Sequence, residues 1–145
     1  MTQFPGGPAD SPGFLLWRTT LFWQRHITAA LDPLGLTHVQ FVLLACAWWL
    51  AQRDEDPNQI TLAQQAGTDV RMASQVIRTL ETKGLLVRRV DPGDSRAKKL
   101  RLTPEGVDLA VRAIRVVEAA DASVFGDAAG QLLSALRRLP PAVTP

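Results

Sequence analysis

The sequence predicts a mainly α-helical fold with one small β-hairpin. Three observations lead there. Between Asp69 and Gly84, apolar residues recur at helical spacing on one side and long polar residues on the other. From Leu85 to Leu102, two short runs flank a tip rich in turn formers, Asp91-Pro92-Gly93-Asp94-Ser95-Arg96-Ala97. Long apolar-rich segments bounded by Pro or Gly then lie on both sides of this unit. The order is that of a helix-turn-helix followed by a hairpin wing, with additional helices at the two ends.

Residues 1–13 carry several Pro and Gly and predict a flexible N-terminal arm. Residues 14–36 form the first helical unit: Phe14 to Leu31 contains Phe14, Leu15, Trp17, Leu21, Phe22, Trp23 and Ile27, and Asp32-Pro33-Leu34-Gly35 breaks it. Residues 37–104 form the helix-turn-helix and wing. Thr37 is suited to cap a helix that reaches about Gln52. Its stretch from Val39 to Ala51 is nearly apolar but well short of the ~20 residues a bilayer span needs, so it reads as a buried central helix with no membrane role. After the acidic loop Arg53–Asn58, Thr61 is suited to an N-cap and Gly67 to a helix end, and Asp69 can cap the next helix. Two helices joined by so few residues around a Gly form the helix-turn-helix pattern.

The second helix of that pair has two chemically distinct faces. Ala73, Val76, Ile77 and Leu80 recur at i, i+3, i+4 and i+7 and pack inward. Arg71, Gln75, Arg78 and Thr82 occupy the opposite face. Arg and Gln carry the forked donors and acceptors that match guanine and adenine edges in the major groove. The helix therefore reads as a DNA recognition helix, with Val70, Arg71, Met72, Ser74, Gln75 and Arg78 as its base-reading surface. A solvated amphipathic helix would show the same periodicity, and the context decides between the two. Gly84 suits a left-handed position just past the helix end. In the hairpin, Leu86, Arg88 and Val90 would share one side, with Leu85, Val87 and Arg89 on the other. Lys98, Leu100 and Leu102 alternate with Lys99 and Arg101 in the second strand. Alone, such a hairpin is as well explained by Lys and Arg discouraging edge-to-edge aggregation. Directly after a helix-turn-helix it reads as a wing that contacts DNA through Lys98 and Lys99.

Residues 105–140 predict the C-terminal helices: a long one from Pro104-Glu105 to about Ser123 with Val107, Val111, Ile114 and Val117 as its stripe, a break at Gly126, and a last one from Asp127 to Leu139. Residues 141–145 are a tail. Leu15, Leu21 and Phe22 at one end and Leu132, Leu133, Leu136 and Leu139 at the other exceed what one winged module covers, and an isologous homodimer would bury them. The terminal helices are thus expected to be dimerisation helices.

Charge agrees with DNA as a partner. From Ile60 to Pro104 nine basic residues face four acids, a net +5 that leaves −3 for the rest of a chain of net +2. Positive charge is concentrated where a polyanion would bind. The single Cys46 excludes an intramolecular disulfide and fits a reducing cytosol, and Met1 to Pro8 lacks the basic start and apolar run of a secretory signal. Catalysis finds no support. His26 and His38 are the only histidines, and His38 lies about 12 Å along its helix from Cys46 at the standard rise. No zinc-ligand spacing, phosphate loop or cofactor motif is present. The rival class is a protein-interaction module on a winged helix, which a neutral wing or a helix face without Arg and Gln would favour.

Leu80-Glu81-Thr82-Lys83-Gly84-Leu85-Leu86-Val87-Arg88-Arg89, then Asp94-Ser95-Arg96, then Leu102-Thr103-Pro104-Glu105-Gly106 resemble the winged-helix signature of the MarR family of transcriptional regulators. Leu34 to Phe41 is similar to that family's entry into its second helix, and the likeness runs from about Phe14 to Leu139. One departure is Val70-Arg71-Met72-Ala73, which stands where the family commonly has small polar residues, so the operator sequence does not carry over. The resemblance implies a repressor acting as a homodimer on a palindromic operator. It also implies that Asp94 orients the wing while Arg96 approaches the minor groove. A small aromatic effector between the dimerisation helices and the winged helix is implied as well, and Trp17, His38, Phe41 and Trp48 are the residues placed near such a cleft. Cys46 as an oxidation sensor is set against its plainer role as a small buried hydrophobe.

Overall fold

The computed structural model describes residues 3–91 and 93–141, and the side chains of residues 91 and 94–97 lie outside the described set. A short 3-10 turn at Gly7–Asp10 leads into α1 (Pro12–Leu31). The expected flexible arm is therefore shorter than 1–13: Ser11 caps α1 by accepting from the Phe14 amide, with Pro12 in the first turn where its missing N–H costs nothing. Only Ile27 and Leu31 of α1 are fully buried, so most of the helix stands clear of the core. Asp32–Leu34 forms a 3-10 turn, and Gly35 reverses the chain with a φ of 69°.

Helix α2 (His38–Gln52) opens on a reciprocal capping box between Thr37 and Gln40 and buries Leu43, Leu44, Ala47 and Leu50. Helix α3 (Gln59–Ala66) begins earlier than Thr61, because Asn58 is the cap and its carboxamide accepts from the Thr61 amide. That start turns Leu62 and Ala63 inward. Helix α4 (Val70–Thr82) is capped by Asp69, which accepts from the Met72 amide, and it buries Ala73, Ile77 and Leu80. Gly84 follows with a φ of 76°.

Strands β1 (Leu86–Asp91) and β2 (Asp94–Leu102) pair antiparallel, Leu86 opposite Leu102 and Arg88 opposite Leu100, with an irregularity at Val90/Asp91. The expected tip from Asp91 to Ala97 is shorter, since β2 already begins at Asp94. Leu85 precedes the strand and is buried, rather than lying on the outer side with Val87 and Arg89. The edge of β2 is secured by the Leu100 amide, which donates to the Pro57 carbonyl at 2.8 Å.

Helix α5 (Pro104–Phe125) buries Gly106, Ala110, Ala113 and Val117. The expected stripe shares only Val117, and Val107 is exposed. At Gly106 the small residue is required because α5 passes very close to the chain entering β1: a Cβ there would drive into the Leu85 carbonyl oxygen. A 3-10 turn, Gly126–Ala128, bends the chain into α6 (Ala129–Arg137), which is shorter than the expected Asp127 to Leu139. The buried side chains of α1 to α5 and the hairpin form one apolar cluster. Among the described residues, no single helix is long and apolar enough to cross a membrane.

Candidate nucleic-acid interface

The face of α4 turned away from Ile77 and Leu80 carries Val70, Arg71, Met72, Gln75 and Arg78, all exposed, with Ser74 half-buried beside them. Two apolar side chains, Val70 and Met72, are each 46% exposed at the helix start. Arg78 Nη2 donates to Ser74 Oγ at 3.1 Å, so its guanidinium is already directed along the helix. The side chains of Arg71 and Gln75 make no hydrogen bond to any described residue, which leaves their donors and acceptors for an outside partner.

The cations of this segment divide into two groups. Arg88 is structural: Nε donates to Glu81 Oε1 at 2.9 Å and Nη2 to Gln59 Oε1 at 3.2 Å, which fastens the hairpin to α4 and α3. Arg101 holds Asp56 Oδ2 at 2.9 Å, fastening β2 to the loop before α3. Lys83 Nζ donates to the Gly35 carbonyl at 2.6 Å and to Gln40 Oε1 at 3.0 Å, which ties the end of α4 to the α1–α2 turn. Arg71, Arg78, Arg89, Lys98 and Lys99 have no carboxylate partner among the described residues.

The register puts Lys99 opposite Arg89 on the outer face of the hairpin, and Lys98 opposite Val90 on the other face. Like charges directly across a strand pair are unfavourable, and an anionic partner would relieve the Arg89–Lys99 pair. Arg89 belongs with the candidate contacts although the sequence reading left it out; the signal was its shared side with Val87, opposite Leu86. Asp94 and Arg96 lie in β2, but their side chains fall outside the described residues.

The residues expected near an effector lie at several places in the fold. Trp17 is 62% exposed on α1. His38 meets the Trp23 ring edge-on at 5.0 Å, and Phe41 packs against the core. Trp23 Nε1 donates to Asp121 Oδ1 at 2.7 Å and so links α1 to α5. Burial lowers the His38 pKa, partly offset by Asp121, and burial raises that of the Cys46 thiol, which keeps the sulfur in its less reactive protonated form. Trp48 lines a separate cleft of about 450 Å³ between α2, β2 and the start of α5. Leu15, Leu21, Phe22, Leu133, Leu136 and Leu139 are all exposed and Leu132 is half-buried, so the two terminal helices present uncovered apolar surface.

The model of the MarR family matches residues 36–98, from the α1–α2 turn into the wing. The uncharacterized HTH-type transcriptional regulator YdcH of Bacillus subtilis is 43% identical over 122 residues, which cover 84% of this chain and 83% of that one. The chain belongs to the MarR family. Two solved MarR-type folds extend the likeness to the terminal helices. CouR of Rhodococcus jostii RHA1, in a structure bound to p-coumaroyl-CoA, is 30% identical with a TM-score of 0.81, covering 99% of this chain and 100% of that one. The MarR family protein Rv2887 of Mycobacterium tuberculosis, in complex with salicylic acid, is 34% identical with a TM-score of 0.66, covering 88% and 92%. The MarR wing and helix-turn-helix account for the arrangement of α3, α4 and the hairpin, and Rv2887 is described as an HTH-type transcriptional repressor.

Proposed function

We propose that the chain is a sequence-specific double-stranded DNA-binding regulator, a repressor acting as a homodimer on a palindromic operator and relieved by a small aromatic ligand. The observation that carries this reading is the exposed face of α4, where Arg71 and Gln75 are uncommitted to the protein while Asp69, Glu81 and Lys83 fix the helix at both ends. Arg and Gln on such a face present bidentate groups to guanine and adenine. The hairpin beside it supplies Arg89, Lys98 and Lys99 for phosphate or groove contacts.

The homodimer is supported by the uncovered apolar faces of α1 and α6, which a two-fold axis would bring together. A dimer carries two α4 helices, and two such helices read half-sites about one DNA turn apart. The ligand is supported by CouR and Rv2887, each of which has been seen with an aromatic molecule bound. Selection of bound fragments from a random double-stranded pool tests the reading. The expected result is one enriched inverted repeat, whereas recovery of unrelated sequences at equal frequency would contradict it.

A further inference from the structure

The cleft beside Trp48 has a construction of its own. Ala47 and Ala51, one turn apart on α2, leave room that larger residues would fill, and Trp48 stands between them as a wall. Leu100 and Leu102 from β2 and Val107 from α5 close the opposite side. At about 450 Å³ the space falls within the range of small-molecule sites.

The polar groups at its mouth are not equivalent. Asp56 is neutralised by Arg101 at 2.9 Å, and the nearby Arg53 is engaged by Glu55 at 3.7 Å and lies over the Trp49 ring at 4.7 Å. Asp54 has no cationic partner among the described residues, although it lines the same cleft. Its backbone sits at a φ of 55°, the positive-φ region that Asp and Asn tolerate better than most residues. The cleft is thus lined by Ala, Leu and Val side chains, the Trp48 indole, Gln52, the paired Arg101 and Asp56, and one exposed carboxylate, Asp54, that no described cation neutralises.

We propose that this cleft binds a small aromatic ammonium compound, with its ring against Trp48 and its cationic nitrogen at the Asp54 carboxylate. The occupant would lie against the segment that anchors the wing, because the Pro57 carbonyl receives the Leu100 amide and Asp56 receives Arg101. Its influence on DNA binding rests on the regulator assignment above, but its binding does not.

Calorimetric titration of the full chain with 2-phenylethylammonium and, separately, phenylacetate tests the site without DNA. The chain carries a net charge of +2, so unspecific attraction would favour the anion. The expected result is about tenfold tighter binding of the ammonium, from one close opposite charge. Asp54→Asn keeps a side chain that tolerates positive φ and is expected to erase the preference, and Trp48→Leu to weaken both probes. Equal or tighter binding of phenylacetate, no binding of the ammonium, or an undiminished preference in Asp54→Asn would each overturn the proposal. A chain that binds the ammonium but enriches no DNA sequence would fail the regulator assignment and leave this site standing.

Discussion

Arg71 and Arg78 share the outer face of α4, yet only Arg78 is held by a neighbour, the Ser74 hydroxyl at 3.1 Å. Arg71 is therefore the better candidate for a bidentate base contact, and Arg78 for a pre-aimed one. Arg71→Ala is expected to cost about 1–3 kcal/mol on the selected operator and much less on random DNA, measured by parallel titrations. Equal losses on both would reduce Arg71 to a phosphate contact. At the wing, Arg96→Ala should leave thermal stability nearly unchanged and weaken operator binding roughly tenfold, the loss of one good groove contact. Asp94→Ala should also weaken binding, through the orientation of its basic neighbours. Tighter binding in proportion to the charge removed would show that simple electrostatics suffices. His38 gives a pH dependence. Burial holds its pKa below the ordinary 6.5, so the folded chain takes up that proton less readily than the unfolded one. Stability present above about pH 6.5 is lost as the pH falls through that value towards the lower folded pKa. His38→Gln should flatten the fall in denaturation midpoint between about pH 7 and 5, and an unchanged slope would assign it to other groups.

At the scale of elements, the sequence was informative wherever one local rule decides and silent where packing does. Asp69 as the cap of α4 and Gly84 beyond its end are local choices, and both appear as expected. Asn58 and Thr61 are both good caps three residues apart. The choice of Asn58 depends on the inward turn of Leu62 and Ala63 against neighbours distant in sequence. The stripe of α5 misleads for a related reason. Hydrophobicity selects Val107, Val111 and Ile114, but the buried side of α5 holds Gly106, Ala110, Ala113 and Val117, and close approach to Leu85 demands the glycine at Gly106. Gly106→Ala should therefore cost about 2 kcal/mol or more, read from chemical denaturation, despite the better helix propensity of Ala. A neutral or stabilising result would mean that the hairpin is not held against α5 as described. The split of the basic residues was likewise hidden, since Arg88 and Arg101 reach Glu81, Gln59 and Asp56 only once the chain is folded. The candidate site was legible as a face of α4, while its division into anchoring and available cations was not.

At the scale of the molecule, α1 and α6 expose Leu15, Phe22, Leu133 and Leu136 at opposite ends of the sequence, while Ile27 and Leu31 of α1 share one buried cluster with the winged module and α5. Those uncovered apolar side chains are the physical basis for reading the chain as half of an assembly. A dimer would fix the distance between two α4 helices, and several Lys and Arg contacts would make its binding fall steeply with salt. The central claim, that two copies of α4 read DNA together, is tested most directly by changing the spacing of the selected half-sites. Inserting about five base pairs, half a helical turn, moves one half-site to the opposite face of the duplex without altering its sequence. Affinity is expected to fall to that of a single half-site or below. Affinity unchanged by the insertion would contradict the claim.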